Sequence, residues 1–225
     1  MNAEAYVSGA MNLADRRSAF DALLEAISVN LNQLLALVVL ALLAPVMLAV
    51  ALLIWRREGG PVLFAHYRVG QDGKLFRCFK FSTMHGDAEC MLAELLARDP
   101  RARAEWQLDH KLRDDPRVTR IGRFLRHTSL DELPQLFNVL RGEMSLVGPR
   151  PITVAELTRY GRVRWHYLSV RPGMTGLWQV SGRNNTSYDE RVDLDRRYVE
   201  QRSVWLDALI LVKTVKVVVS RHGAR

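Results

Sequence analysis

The sequence predicts an α+β, mainly helical protein that is attached to a membrane. Three observations lead to this class: an uncharged apolar run from Leu34 to Ile54, two β-rich stretches around Asp72-Gly73, and helical spacing of apolar residues in several later segments. At 225 residues the chain can bury one substantial core. We expect an N-terminal membrane segment, residues 1–57, and a cytosolic domain at the membrane interface, residues 58–225.

The apolar run LLALVVLALLAPVMLAVALLI has the length of a membrane segment. As a straight helix its 21 residues would be about 31 Å long, which matches the hydrocarbon thickness of a bilayer. A secretory signal peptide would have a shorter apolar core that starts earlier. The run therefore predicts a membrane-bound protein.

Pro45 lies at the centre of this run and removes one helical hydrogen bond, which predicts a break. The half before it would be only about 16 Å long, enough to reach the bilayer midplane. Arg16-Arg17 precede the run and Arg56-Arg57 follow it, and arginine favours the cytoplasmic side. A re-entrant helix-break-helix keeps both flanks inside, whereas a kinked spanning helix does not. The residues alone leave both topologies open.

The elements after residue 57 are shorter. Residues 61–81 predict a β-hairpin, because Asp72-Gly73 is a strong tight-turn signal between two β-rich runs. Apolar spacing predicts a helix over residues 87–98, and a second, charge-dense helix follows to residue 113. Glycines predict an irregular stretch over residues 172–182. The apolar tail from Trp205 fits an amphipathic interfacial helix or a buried C-terminal helix.

The charge balance predicts an anionic partner. Lys and Arg number 32 against 24 Asp and Glu, which gives a net charge of +8. Nucleic acid, an acidic membrane surface and a phosphorylated substrate all fit this charge. Cys78 and Cys90 form neither a zinc pattern nor a disulfide framework, so we expect two reduced thiols.

The stretch SLDELPQLFNVLRGEMSLVGPRP, residues 129–151, places two adjacent carboxylates among arginines. Asp131 and Glu132 lie between Arg126 upstream and Arg141 and Arg150 downstream. A carboxylate that attacks phosphorus must be ionised, and the phosphate must have its charge neutralised. Arginine and Mg²⁺ are the usual neutralisers, and Mg²⁺ is commonly held by one or two carboxylates and substrate phosphates. The mixture is therefore consistent with a phosphate and metal site.

A structural role fits the same residues. Ser129 and Glu132 match the S-x-x-E capping box, and Pro134 suits the first turn of a helix. A helix N-terminus would itself favour negative charge, since its free N–H groups and dipole stabilise anions. Local sequence leaves capping and chemistry equally open.

Four motifs together resemble a known family. SLDELPQLFNVLRGEMSLVGPRP, KFSTM, DPRVTRIGRFLR and RPGMTGLWQVSGRN are similar, in order and spacing, to motifs of the bacterial sugar transferases. These are small monotopic phosphoglycosyl transferases that start exopolysaccharide and glycan assembly. The resemblance covers Leu34 to the C-terminus, and the size resembles members that lack an N-terminal multi-span region.

The resemblance implies an enzyme of the bacterial inner membrane, at the cytoplasmic face. It would transfer a sugar 1-phosphate from a UDP-sugar to undecaprenyl phosphate and release UMP, through a covalent aspartyl-phosphosugar intermediate. A hexose is expected, galactose first. The resemblance also implies the re-entrant hairpin, broken at Ala44-Pro45. It leaves open whether the chain forms a homo-oligomer.

The resemblance also assigns roles to particular residues. Asp131 falls on the family's nucleophile, and Glu132 on the second acid of the dyad, which supports Mg²⁺ as cofactor; both acids are thus candidate metal ligands. The positions that match the family's basic, substrate-binding residues are Lys80, Arg126, Arg150 and Arg183.

Asp195 is a further candidate for the site, with a surface salt bridge as the alternative. Trp178 is a candidate for stacking on uracil, with a core role as the alternative.

The chain departs from the family pattern at three places. Ser82 replaces the basic residue usual after Lys-Phe, and Ala44 replaces a polar residue before the helix-breaking proline. Asn32 and Gln33 stand where a Phe-Asp pair is usual. Residues 1–30 lie outside the resemblance.

Two other functions are compatible with parts of the sequence. A membrane-docked nucleic-acid binder fits the charge, but no recognition-helix or RNA-binding motif occurs and an acidic dyad would repel nucleic acid, so no nucleic acid is expected. A non-catalytic scaffold of a polysaccharide machine would use the same membrane segment.

Overall fold

A long N-terminal helix, α1 (Ala19–Glu58), opens the computed structural model, which describes residues 19–109, 112, 114–182 and 186–220. The predictions on Arg16, Arg17 and Arg183 lie outside these residues. The helix continues through Pro45, so the expected division into two helices is wrong. A proline costs a helix about 3 kcal/mol, and Leu, Ala and Met on both sides are strong helix formers that retain the other hydrogen bonds. From Glu25 to Glu58 the helix is long and apolar enough to cross a membrane.

Helix α1 packs on the remainder of the chain along one side. The amide nitrogen Nε2 of Gln33 donates to the Leu140 carbonyl at 2.9 Å, and the Leu146 N–H donates to Oδ1 of Asn32 at 2.8 Å. The two residues that depart from the family pattern thus attach the helix to the domain. Further along, Met47, Val50 and Ile54 are buried in a shared core, while many leucines of the other faces are exposed.

The predicted hairpin is confirmed. Strands β1 (Leu63–Val69) and β2 (Leu75–Phe81) are antiparallel, with Phe64 opposite Lys80. A 3-10 turn joins them, in which Asp72 has a φ of 55°, a conformation that Asp tolerates better than most residues. The turn chemistry read from the sequence is therefore the one that the chain uses.

The next helices are α2 (Ala88–Arg98), α3 (Pro100–Asp109) and α4 (Arg120–Thr128). Helices α2 and α3 confirm the two helices expected here. Thr119 caps α4 by accepting from the Gly122 N–H at 2.8 Å. A Cβ on Gly122 would overlap the backbone of Thr83, so glycine at this position lets α4 lie against the end of the hairpin.

After α4 come a 3-10 turn (Leu130–Glu132), helix α5 (Gln135–Leu140) and strand β3 (Ser145–Val147). Helix α6 (Val154–Arg159), a 3-10 turn (Gly161–Val163) and helix α7 (Arg164–Leu168) lead to strand β4 (Gly173–Thr175). Strands β3 and β4 pair in parallel. A Cβ on Gly173 or Gly176 would overlap the backbone of Gly148, so these glycines allow two loops to meet closely.

The stretch expected to be irregular is more ordered than predicted. It contains β4 and one helical turn, α8 (Leu177–Val180). Helix α9 (Tyr188–Gln201) and helix α10 (Val204–Ser220) complete the described chain. One side of α10 packs inward through Ile210, which is buried, while Trp205 is 87 % exposed. Helix α10 therefore has one buried side, as expected for a buried C-terminal helix, and an exposed Trp205, as expected for an interfacial helix.

Candidate functional site

The acid pair lies in the turn between α4 and α5. Asp131 is only 8 % exposed, and both acids belong to the 3-10 turn. Ser129 has a φ of 58° and closes the end of α4, with no capping bond from its side chain. The capping box considered for Ser129 and Glu132 is therefore wrong, because the chain turns sharply at Ser129 and directs the Glu132 carboxylate elsewhere.

The Glu132 carboxylate meets two basic side chains that are distant in sequence. Lys80 Nζ lies 2.6 Å from Glu132 Oε1 and 3.8 Å from Asp131 Oδ2. Arg150 Nη1 lies 3.4 Å from the same Glu132 oxygen. The structure therefore brings four predicted site residues together: the dyad, the lysine near the end of β2 and the arginine after β3.

Arg126 is a further cation whose charge acts on Asp131. Its Nε donates to Thr83 Oγ1 at 3.0 Å, which orients the guanidinium at the end of α4. Burial lowers the pKa of Arg126, and the negative charge of Asp131 acts in the opposite direction. The neighbouring His127 is exposed.

Burial raises the pKa of Asp131, and the adjacent Glu132 carboxylate adds to this effect. Lys80, Arg126 and Arg150 act in the opposite direction by stabilising the carboxylate. Asp131, whose pKa is raised, would gain from a nearby cation. These cations favour the ionised form of Asp131, the form in which a carboxylate is able to act as a nucleophile.

Asp195 is not on the pocket surface. Its side chain is 2 % exposed, and Oδ2 accepts a 2.7 Å hydrogen bond from the Tyr160 hydroxyl. Burial raises the pKa of Asp195 to about 6, and the positive charges of Arg191 and Arg150 lower it. The alternative of a surface salt bridge for Asp195 is therefore wrong. The residue lies behind Arg150 as a buried counter-charge.

Two guanidinium groups lie over the ring of Trp178. Arg191 lies 4.9 Å and Arg150 5.6 Å from the centre of its ring, and Nε1 donates to Thr186 Oγ1 at 2.7 Å. Both arginines are within cation–π range. Arg191 also forms an ion pair with Glu156, with Nη1 3.5 Å from Oε1. The Trp178 ring therefore contacts both Arg150 and the ion-paired Arg191.

A small pocket opens beside the dyad. Its walls are formed by Arg68, Cys78, Lys80, Glu132, Gln135, Arg150, Pro151 and Met174. Arg68, Cys78, Gln135 and Met174 were not predicted as site residues. The pairing of β1 with β2 gave a usable signal for two of them, since Arg68 and Cys78 share the Lys80 side of the hairpin.

The donor set fits Mg²⁺ only in company with a substrate. Within the described parts of the chain, no group of three or more His, Cys, Asp or Glu side chains is placed to hold a metal ion. The two carboxylates of Asp131 and Glu132 would supply two ligands. Mg²⁺ is commonly bound in this way, through one or two carboxylates, substrate phosphate oxygens and water.

The chain matches a known protein family over most of its length. The family model for bacterial sugar transferases matches residues 25–221, so the chain belongs to the bacterial sugar transferase family. The match covers α1 from Glu25 onward, the dyad turn, the pocket and α10.

Three relatives place the chain within the family. It is 60 % identical over 168 residues to the undecaprenyl-phosphate galactose phosphotransferase of Salmonella typhimurium, covering 75 % of this chain and 35 % of the relative. It is 53 % identical over 189 residues to the UDP-galactose-lipid carrier transferase of Erwinia amylovora, covering 84 % and 39 %. It is 46 % identical over 195 residues to the exopolysaccharide production protein ExoY of Rhizobium meliloti, covering 87 % and 86 %. The chain thus spans little more than a third of the first two relatives.

Proposed function

We propose that the protein transfers a hexose 1-phosphate from a UDP-sugar to undecaprenyl phosphate, as the first step of exopolysaccharide or glycan assembly. The observation that carries the proposal is the contact of the Asp131-Glu132 pair with Lys80 and Arg150 at a small pocket. The names of the Salmonella and Erwinia relatives support a lipid-linked acceptor and favour galactose as the sugar.

Asp131 is the nucleophile in this proposal. One of its carboxylate oxygens forms a bond to the sugar-linked phosphorus, and the bond from that phosphorus to the bridging oxygen breaks, so that UMP leaves with the electron pair. An oxygen of undecaprenyl phosphate then attacks the same phosphorus and restores the carboxylate. Lys80, Arg126 and Arg150 stabilise the charge on phosphate oxygens, and they also favour ionised Asp131.

Mg²⁺ is the proposed cofactor, held by Asp131 and Glu132. When bound, it would neutralise phosphate charge at the dyad. Lys80 and Arg150 hold Glu132 through Oε1, which orients the carboxylate toward the pocket. Arg183 lies outside the described residues, and its role as a further phosphate-binding residue stays a prediction.

Both ends of α1 support a monotopic arrangement at the cytoplasmic face of the inner membrane. Near its start, Glu25 Oε1 lies 3.3 Å from Arg171 Nη2. At its end, Glu58 Oε2 lies 3.8 Å from His85 Nδ1. Arg171 and His85 belong to the same folded unit, so a helix that crossed the bilayer upright would separate one of these pairs from its partner. We therefore propose that α1 keeps both of its ends on the side of the membrane that holds the folded unit.

The test is covalent labelling of the full chain with UDP-galactose that carries a radioactive sugar, in the presence of Mg²⁺ and without acceptor. We expect label on the protein, release of UMP, and loss of the label when undecaprenyl phosphate is added. Asp131→Asn should remove the label and lower turnover by several orders of magnitude. Asp189→Asn, an exposed acid in the first turn of α9, is the matched control and should behave as wild type.

The same assay decides between competing functions. Turnover without any trapped label, together with kinetics that require both substrates at once, would indicate direct transfer. Absence of UMP release with every UDP-hexose tried would leave a scaffold as the better description.

A further inference from the structure

A third basic residue, Arg68, faces the dyad pocket from strand β1. Its side chain lines the pocket together with Lys80, Glu132 and Arg150, and it is 26 % exposed. Its Nη1 lies 3.2 Å from Glu156 Oε2, which fixes the guanidinium from behind. Glu156 in turn is held by the Thr153 N–H at 2.9 Å at the start of α6. Arg68 is therefore a positioned cation with one side toward the pocket.

The strand register separates Arg68 from the lysine at the dyad. Lys80 pairs with Phe64, and Arg68 is further along the same strand. At about 3.3 Å per residue, the backbones of Arg68 and Lys80 are roughly 13 Å apart along the hairpin. Arg68 pairs with Phe76, and Phe76, Cys78 and Lys80 are alternate residues of β2, so the side chains of Arg68 and Lys80 point to the same face of the hairpin. Cys78 lies between them on that face. The two long side chains thus enter one pocket from opposite ends.

The charges around Arg68 favour an anion in the space between the cations. Burial lowers the pKa of Arg68, and the neighbouring Arg150 lowers it further, while Glu156 acts in the opposite direction. Two guanidinium groups in a partly buried pocket repel each other. A phosphate between them would relieve this repulsion and accept hydrogen bonds from both.

We propose that Arg68 binds the second phosphate of the donor, the one that leaves with uridine. This inference rests on the proposed function, which places the attacked phosphorus beside Asp131 and Lys80. When the bond to the bridging oxygen breaks, the electron pair stays on that oxygen and the departing phosphate gains negative charge. Arg68 neutralises this charge at the far end of the pocket. It is a binding residue for the leaving group and takes no proton.

The experiment measures UMP binding by calorimetry, with Mg²⁺ present and the full chain in nanodiscs of phosphatidylethanolamine and phosphatidylglycerol. Arg68→Gln should raise the Kd for UMP about tenfold to a hundredfold, the range expected for loss of a hydrogen bond to a charged group. Arg68→Lys, which retains the charge, should fall between Arg68→Gln and wild type. The matched control is Arg77→Gln on the exposed side of the same hairpin, which should bind UMP as wild type does.

A further variant separates binding from structure. Glu156→Gln removes the charge of the ion pair but keeps a side-chain oxygen that can accept from Arg68, so the guanidinium stays at the pocket and UMP affinity should stay within about threefold of wild type. Equal losses in Glu156→Gln and Arg68→Gln, with matching falls in the melting temperature, would assign Arg68 a purely structural role and overturn the proposal.

The reaction with the acceptor provides the second arm. The label on pre-labelled protein should transfer to undecaprenyl phosphate at the same rate in Arg68→Gln and wild type, because UMP has already left. If that rate fell while UMP affinity was unchanged, Arg68 would bind the acceptor phosphate and the proposal would be wrong. UMP binding does not need the nucleophile, so Asp131→Asn should still bind UMP. If the wild-type protein bound UMP normally but took up no label, the proposed reaction would be contradicted, whereas the role of Arg68 in UMP binding would still be decided by the Kd values.

Discussion

Asn138 in α5 joins the dyad region to the strand that carries Lys80, and its removal should destabilise the protein strongly. The side chain is 0 % exposed. Its Oδ1 accepts from the Phe79 N–H at 3.0 Å, and its Nδ2 donates to the Arg77 carbonyl at 2.7 Å and to Glu143 Oε2 at 2.6 Å. One amide therefore replaces a neighbouring strand for two backbone groups of β2.

The size of the effect follows from what each lost bond leaves behind. Asn138→Ala removes three hydrogen bonds and leaves a strand N–H, a strand carbonyl and a carboxylate with one partner fewer. A neutral bond contributes about 0.5–1.5 kcal/mol and one to a charged group about 1.5–3 kcal/mol. We expect a loss of about 3–5 kcal/mol in the free energy of unfolding, or roughly 10 °C in the melting temperature for a chain of this size.

The assay is thermal unfolding followed by far-UV circular dichroism in detergent. Gln107→Ala, an exposed amide in α3, is the control and should change the free energy of unfolding by less than about 0.5 kcal/mol. Asn138→Asp keeps the acceptor for Phe79 but places a second carboxylate beside Glu143, so it should be destabilising at neutral pH and less so in acid. If Asn138→Ala lowered the free energy of unfolding by less than about 1 kcal/mol, the three hydrogen bonds of Asn138 would not stabilise the protein as described.

Three further results are expected. Because burial raises the pKa of Asp131 above its ordinary 3.8 in the protein without bound metal, the carboxylate takes up a proton as pH falls through that higher value; titration of the metal-free protein followed by carboxyl NMR, with Asp131→Asn to assign the signal, should show a midpoint above pH 3.8, and a midpoint at or below it would contradict the effect of burial. EDTA should abolish turnover and Mg²⁺ should restore it, whereas full activity in excess chelator would remove the metal from the mechanism. With Cys78 and Cys90 changed to Ser and a reporter at Ser8→Cys, an impermeant thiol reagent should label intact spheroplasts only after the membrane is opened, and labelling from outside would show that α1 spans the bilayer.

The apolar helix and the β-hairpin could be predicted from the sequence, because their signals lie within short segments. An uncharged run of bilayer length predicts a helix long and apolar enough to cross a membrane, and α1 is such a helix. Asp72-Gly73 predicts the hairpin, because few residues adopt that turn. The dyad and its arginines were predicted from the acid–arginine stretch and the family motifs. The structure places Lys80, Asp131, Glu132 and Arg150 together, while the chemical roles of these residues await the labelling experiment.

The failures have local causes that the residues alone do not reveal. Ser129-x-x-Glu132 satisfies a capping pattern, yet Ser129 takes a left-handed conformation and Glu132 bonds to Lys80 instead. Pro45 predicts a break, yet the surrounding helix formers continue α1 through it. In both cases a short pattern permits two conformations of similar energy, and packing of the rest of the chain selects one.

The residue types that could act on a phosphate are evident from the amino-acid sequence alone: two adjacent acids, a lysine and several arginines. Which of these residues lie in contact became clear from the folded chain. It buried Asp195 behind Arg150, covered Trp178 with two guanidinium groups, and turned Arg68 of β1 toward the pocket. The physical reason is distance along the chain. Lys80 reaches Glu132 across 52 residues and Arg68 reaches Glu156 across 88, and contacts of that separation depend on how whole elements pack, which no local pattern encodes.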